Sequence, residues 1–184
     1  MPFPKRMNPS PGCALEHDDM DAILQVRMPL REFLLVEKCP FEWQRLDLYL
    51  LRDEQTVFYA GQSVSAFTRV WDHFYAGFKA RSVMGRFIVC NWPVSMRFTL
   101  EMYDARDPLF APAGHDLDQA EQWLIRHHQP CLNTTHNPTP NPLPSQYLHP
   151  LTPMRIRLHP KRCLQQAAQA IDAAGLRRFV AGGG

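Results

Sequence analysis

From Leu46 onward the chain alternates. Leu46, Leu48 and Leu50 take every second position, with Asp47, Tyr49 and Leu51 between them, the period of two that turns one side of a strand toward a core. Asp53-Glu54-Gln55 has turn chemistry, and Thr56-Val57-Phe58-Tyr59-Ala60 resumes the extended pattern. The segment predicts a β-hairpin with Tyr49 on one arm and Tyr59 on the other. After Gly61 and Gln62 the period changes. Phe67, Val70, Trp71, Phe74 and Phe78 recur at helical spacing, and Ser63 or Ser65 stands where a helix needs a side-chain acceptor for its first free N–H groups. Arg69 and His73, four residues apart, share a different face of that helix.

A third strand is predicted over Val94–Tyr103, where Val94, Met96, Phe98, Leu100 and Met102 alternate with Ser95, Arg97, Thr99, Glu101 and Tyr103. A second helix begins at Asp116, which with Gln119 three residues on resembles a capping box with Asp in place of Ser or Thr. Its apolar stripe is Leu117, Ala120, Leu124 and Ile125, and Glu121 falls inside that stripe. A carboxylate facing a core normally acquires a cation, a metal or a proton, because burying it unpaired is costly.

The flanks carry weaker patterns. Residues 1–14 are proline-rich with little hydrophobic order, which favours disorder. Residues 20–43 hold two short apolar runs whose periodicity leaves helix or strand open. Six prolines between Asn137 and Pro153 favour an extended segment that wraps or links. Beyond it Pro160 can open a helix with Leu164, Ala167, Ala168 and Ile171 on one stripe, ending near Gly175, before a loose Gly182–Gly184 tail.

Composition narrows the class. The chain has 184 residues, 45% hydrophobic and 21% charged, enough apolar material for one core. No run approaches the roughly 20 apolar residues that span a bilayer, and no apolar signal core follows the N-terminus, so a non-membrane, cytoplasmic protein is expected. Five scattered cysteines, Cys13, Cys39, Cys90, Cys131 and Cys163, form no Cys-x-x-Cys pair and fit a reducing compartment. His127-His128 with Cys131 lacks a fourth ligand at zinc spacing. The net charge of +2 is unevenly spread: residues 62–100 carry a net +4, residues 150–184 a net +5, and residues 101–121 between them a net −5. Arg69, Lys79 and Arg81 in the first basic stretch and Arg155, Arg157, Lys161, Arg162, Arg177 and Arg178 in the second are candidate phosphate contacts.

Taken in order, these elements resemble the GIY-YIG nuclease superfamily over about residues 46–135. Leu48-Tyr49 stands where the family has Ile-Tyr, Tyr59-Ala60-Gly61 where it has Tyr-Ile-Gly, and Arg69 and His73 match its Arg-x-x-x-His helix. Glu121, Leu124-Ile125 and Pro130-Cys131-Leu132-Asn133 match its closing Glu, Leu-Ile and Pro-x-x-Asn. Two positions depart: Asp47 replaces the first glycine and Ala60 the branched residue of the second motif. Asp47 is expected to add negative charge near the site, weakening phosphate binding or joining a metal's outer shell.

The resemblance implies an α+β fold, a small three-stranded antiparallel sheet flanked by helices, over residues 46–135. Residues 1–45 would form an N-terminal extension and 136–184 a Pro-rich linker and C-terminal helix. It implies hydrolysis of DNA phosphodiesters, with RNA a further possible substrate. Glu121 would hold one Mg²⁺ or Mn²⁺, Arg69 would clamp the scissile phosphate, and Tyr49 would serve as general base or orient water. Tyr59 and His73 would hydrogen-bond the water, the phosphate or Tyr49, and Asn133 would position the site. Hard divalent ions suit a single carboxylate completed by water and phosphate. The alternative from another class is a nucleic-acid-binding or structural protein that has the fold without turnover.

Overall fold

The computed structural model describes residues 26–153 and 158–181, with side chains up to residue 173. Its centre is a four-stranded antiparallel sheet in the order β1-β4-β2-β3, formed by β1 (Val26–Pro29), β2 (Leu48–Arg52), β3 (Val57–Gln62) and β4 (Thr99–Tyr103). The helices are α1 (Leu30–Phe33), α2 (Ala66–Gly77), α3 (Val83–Cys90), α4 (Leu117–His128) and α5 (Pro160–Ala181), with 3₁₀ turns over Phe41–Trp43, Val94–Arg97 and Pro108–Ala113. None of the described helices is long and apolar enough to cross a membrane.

The sheet has a core on each face. On one, Tyr49, Leu51, Phe58, Leu100 and Met102 pack with Leu30 and Phe33 of α1, Phe67, Val70 and Phe74 of α2, Met84, Phe87 and Ile88 of α3, and Cys163 of α5. On the other, Leu48, Leu50, Val57, Ala60 and Tyr103 meet Phe110 and the Ala120, Leu124 and Ile125 stripe of α4. A fully buried Leu or Phe contributes about 1.5–3 kcal/mol, and most of these side chains are wholly inaccessible.

The β2–β3 pairing contains one irregularity. Tyr49 pairs with Gly61 and Leu51 with Tyr59, but Arg52 pairs with Val57. Phe58 is therefore unopposed, a one-residue bulge. Strict alternation would send Phe58 and Tyr59 to opposite faces; the bulge gives both to the face that carries Tyr49. Phe58 fills an aromatic cluster with Phe87, Phe98 and Tyr147, at centroid separations of 4.8, 4.8 and 5.1 Å.

Local signals set the helix starts. The Ser65 hydroxyl caps α2 by accepting from the Thr68 N–H, the Asp116 carboxylate caps α4 by accepting from Gln119, and the Ser82 hydroxyl caps α3 by accepting from Gly85. Helices α2 and α3 touch backbone to backbone through Gly77 and Gly85: a Cβ on Gly85 would overlap the His73 carbonyl, and one on Gly77 would overlap Gly85.

Several expectations are corrected. The sheet has four strands, not three; β1, from a run whose type periodicity left open, joins the edge of β4, with Val26 opposite Met102 and Pro29 opposite Thr99. The strand expected over Val94–Tyr103 is extended only from Thr99. Partner strands explain this, because β1 stops at Pro29 and β2 at Arg52, both opposite Thr99. The preceding residues wind back under α3: Ser95 donates its N–H to Asn91 O and its hydroxyl to Ile88 O (2.7 Å), and Val94 is exposed. Helix α5 starts at Pro160 and runs through Gly175 to Ala181, since one interior glycine costs a helix only about 1 kcal/mol. The Pro-rich segment is irregular and wraps: Tyr147 donates to Asp53 Oδ2 (2.8 Å), and Leu148 pairs with the Asn91 side chain. Residues 1–14 and the Gly182–Gly184 tail lie outside the described residues.

Gly85→Ala should destabilise the protein by about 3 kcal/mol or prevent folding, because its methyl must displace helix backbone and not a flexible side chain. Urea unfolding at constant pH measures this; a loss below about 0.5 kcal/mol would show that the two helices are not in backbone contact.

Candidate active site

A cleft of about 480 Å³ opens beside β3, lined by residues of α2 from one face of the sheet and of α4 from the other. Its walls are Tyr59 of β3, Arg69, Asp72 and His73 of α2, Arg81 and Ser82 ahead of α3, Glu121 and Ile125 of α4, and the Leu132–His136 loop. Tyr49 lies behind this wall, 1% exposed.

Pairing of Tyr49 with Gly61 makes the inner site possible. A Cβ at residue 61 would sit 2.5 Å from the Tyr49 hydroxyl oxygen, so glycine there lets the phenol lie across β3. Tyr49 and Tyr59, diagonal neighbours, stack with centroids 6.3 Å apart. The Tyr49 hydroxyl is 2.8 Å from His73 Nε2, and His73 Nδ1 is 2.6 Å from Ser82 Oγ. The Arg69 charge lies close enough to favour the ionised form of Tyr49.

Burial governs the electrostatics. It raises the Tyr49 pKa, as does neighbouring Tyr59, against the lowering effect of Arg69. Tyr59 is raised by burial and by Glu121. His73 is lowered to about 4 by burial and by Arg69, only partly offset by Asp72, so its ring is neutral at pH 7. Glu121 is raised by burial and by Asp118, while neighbouring Gln62 and His136 act in the opposite direction; the Gln62 amide itself donates to Asp118 Oδ1.

Asn133 covers the open edge of β3. Its Oδ1 accepts from the Ala60 N–H and its Nδ2 donates to the Ala60 carbonyl, both at 2.9 Å, so one primary amide replaces a missing strand neighbour. Leu132 N–H continues the edge pairing to Phe58 O. The buried Asn137 amide ties the loop back to the Pro130 and Asn133 carbonyls, and His136 between them adopts a left-handed φ of 59° at the rim of the cleft.

The structure thus brings Tyr59, Arg69, His73, Glu121 and Asn133 to one cleft, with Tyr49 hydrogen-bonded behind it. Arg81 joins the rim, and Lys79 is exposed nearby in chain order, two residues past the end of α2. Lys161 and Arg162 are exposed on α5, outside the cleft lining, and Arg155, Arg157 and the side chains of Arg177 and Arg178 lie outside the described residues. Asp47 is corrected: its Oδ1 accepts the Ala105 N–H at 2.8 Å beside Asp104 and Arg106, away from the cleft lining, so it is a structural acceptor. Ser82, His136 and Gln62 are additions. Ser82 was accessible from sequence as the cap before Met84, Phe87 and Ile88, an i, i+3, i+4 stripe. For His136 no local signal exists.

Among the described residues, no three His, Cys, Asp or Glu side chains converge as a metal cage. His127 stacks on Trp123, His128 is half-buried with its pKa lowered to about 4, and the Cys131 thiol donates to Pro142 O. No protein-family model, curated protein or solved structure matches this chain.

His73 and His128 bear on acid stability. Both are depressed from an ordinary 6.5 to about 4 in the folded state, so the unfolded chain binds more protons between these values and stability falls as pH drops from 6.5 toward 4. With two such groups the slope is at most about 2.7 kcal/mol per pH unit. Urea unfolding at several pH values, alongside NMR titration of the two imidazoles, checks this; midpoints near 6.5 would contradict it.

Proposed function

We propose that this chain is a GIY-YIG-like, divalent-metal-dependent endonuclease that hydrolyses DNA phosphodiester bonds. The observation carrying the reading is the convergence of Tyr59, Arg69, His73, Glu121 and Asn133 on one cleft, with Tyr49 hydrogen-bonded to His73 immediately behind it. These residues are scattered over 85 positions, and they supply the parts phosphodiester hydrolysis requires: a cation for the phosphate, a proton acceptor for water, and a carboxylate.

The donor set suits a hard ion. Glu121 is half-buried, faces the cleft, and among the described residues forms no ion pair with Lys or Arg, so its carboxylate is available to Mg²⁺ or Mn²⁺ with water and phosphate oxygens completing the shell. When bound, such an ion supplies positive charge for the phosphate oxygens and acidifies coordinated water.

The chain's own groups do the rest. The Arg69 guanidinium presents a fork of donors to the scissile phosphate. Burial disfavours both a free Tyr49 phenolate and a lasting His73 imidazolium, so the pair takes a proton only in passing: as water attacks phosphorus, its proton passes to the Tyr49 oxygen while the Tyr49 proton passes to His73 Nε2, and His73 then releases a proton to solvent. The P–O bond to the leaving oxygen breaks, and solvent protonates that oxygen. Tyr59 offers a hydroxyl to the water or phosphate, and Asn133 holds β3 so that both tyrosines keep their places.

Incubation with supercoiled, linear, branched and single-stranded DNA, and with RNA, in Mg²⁺ or Mn²⁺ tests the reading. Wild-type protein should cut DNA in a metal-dependent manner, Tyr49→Phe should lose about 10²–10⁴-fold, and Glu121→Gln at least about a hundredfold. Wild-type rates from Glu121→Gln would overturn the assignment of Glu121 as the metal ligand, and binding without cleavage by the wild type would favour the non-enzymatic alternative. Without metal, Glu121→Gln should melt at a higher temperature than wild type, since it removes a carboxyl whose ionisation burial opposes; Mg²⁺ should raise the melting temperature of the wild type alone.

Phosphate contacts have a separate signature. Neutralising Lys79 and Arg81 together should flatten the dependence of log K on log salt for duplex DNA by about 1.8, whereas neutralising Lys161 and Arg162 should leave it within about 0.5. Reversal of the two outcomes would move the duplex from the cleft rim to α5.

A further inference from the structure

The hydrogens of the Tyr49–His73–Ser82 chain can be counted. Neutral His73 carries one ring proton, and each of its nitrogens meets a hydroxyl, Tyr49 at Nε2 (2.8 Å) and Ser82 at Nδ1 (2.6 Å). Two arrangements satisfy both contacts. In one, Tyr49 donates to Nε2 and Nδ1–H donates to Ser82; in the other, Ser82 donates to Nδ1 and Nε2–H donates to Tyr49. The second would leave the hydroxyl hydrogen of Tyr49, 1% exposed, without an acceptor, because His73 Nε2 is its one hydrogen-bond partner among the described residues. The first gives Tyr49 its acceptor at Nε2 and leaves its oxygen lone pairs to the nearby Arg69 charge. Ser82 then takes two N–H bonds, from Gly85 at 2.9 Å and from His73, and its own hydrogen is free to face the cleft it lines.

We infer that Ser82 is a positioning residue that fixes His73 in its Nδ1–H tautomer and thereby aims the Nε2 lone pair at Tyr49. The assignment deepens the phosphodiesterase reading, on which its catalytic consequence rests. Ser82 is itself immobilised, since its oxygen caps α3, and α3 is pressed onto α2 at Gly85 against the His73 carbonyl. The same helix contact that sets the distance between α2 and α3 therefore sets the distance from Ser82 to the ring. After Tyr49 hands its proton to Nε2, the imidazolium keeps its Nδ1–H bond to Ser82, so no ring flip is needed during turnover.

Nitrogen-15 NMR of the imidazoles in the full chain tests the tautomer without reference to cleavage. Wild type at pH 7 should show a protonated Nδ1 and a bare Nε2 for His73. Ser82→Gly, which keeps an acceptable helix cap but removes the oxygen, should lose this single tautomer, and Ser82→Thr should restore it. On DNA, Ser82→Gly should lower kcat about 10- to 100-fold, the range seen when an orienting partner of a functional imidazole is removed, with KM within about twofold; Ser82→Thr should recover most of the rate. An Nε2–H tautomer in wild type, or an unchanged His73 spectrum in folded Ser82→Gly, would overturn the assignment even if the protein cuts DNA. The expected spectra from a wild type that cuts no nucleic acid would uphold the tautomer assignment and remove the nuclease reading.

Discussion

One unopposed residue organises this fold. Because Phe58 has no partner across the β2–β3 pairing, two consecutive side chains leave β3 on the same face, Phe58 into the aromatic core and Tyr59 toward the cleft. Alternation then resumes, which lays Ala60 against α4 and pairs Gly61 with Tyr49. A strand without the bulge would have to choose: with Phe58 inward, Tyr59 would lie on the α4 face, remote from Tyr49 and His73. A one-residue change of register moves every later side chain to the opposite face, so core packing and site geometry are here a single constraint.

That constraint leaves β3 as the outer strand of the sheet, and an exposed edge at a polar cleft would leave main-chain groups unsatisfied. Asn133 meets the need with one side chain, and the Asn137 amide then fixes the loop that carries it. The arrangement brings groups from β2, β3, α2, α4 and a loop to one place. Tyr49, His73 and Ser82 form an unbroken hydrogen-bonded chain whose tyrosine and imidazole are buried, where such bonds strengthen and an unpaired partner is costly.

Legibility in the sequence followed locality. The hairpin, the starts of α2, α4 and α5, and the inward position of Glu121 were all readable, because caps and periodicity are written within a few residues of where they act: Ser65, Asp116 and Pro160 each announce the element that follows. Strand β1 was not, since Val26–Pro29 is too short for any period and becomes a strand only by hydrogen-bonding β4. The alternation at Val94, Met96 and Phe98 misled for the converse reason: its pattern suits a strand, but β1 and β2 both end opposite Thr99. Helix α3 had a readable cap and stripe; Ser82's contact with His73, nine residues back and across a helix interface, did not.

Asp47 and Glu121 show why burial alone does not locate chemistry. Both carboxyls are half-buried, and desolvation raises the pKa of each. Their partners differ in kind. Asp47 receives the Ala105 backbone N–H at 2.8 Å and has Arg106 close by, so its cost is met within the sheet's own connections. Glu121 faces the cleft beside His136 and Gln62, whose side-chain amide donates to Asp118 Oδ1. A carboxylate satisfied by backbone has little to gain from an added cation, whereas one half-buried against an open cleft, with no Lys or Arg partner among the described residues, retains most of its attraction for one. Sequence placed both acids near the tyrosines; only their partners distinguish the structural acceptor from the group left for a ligand.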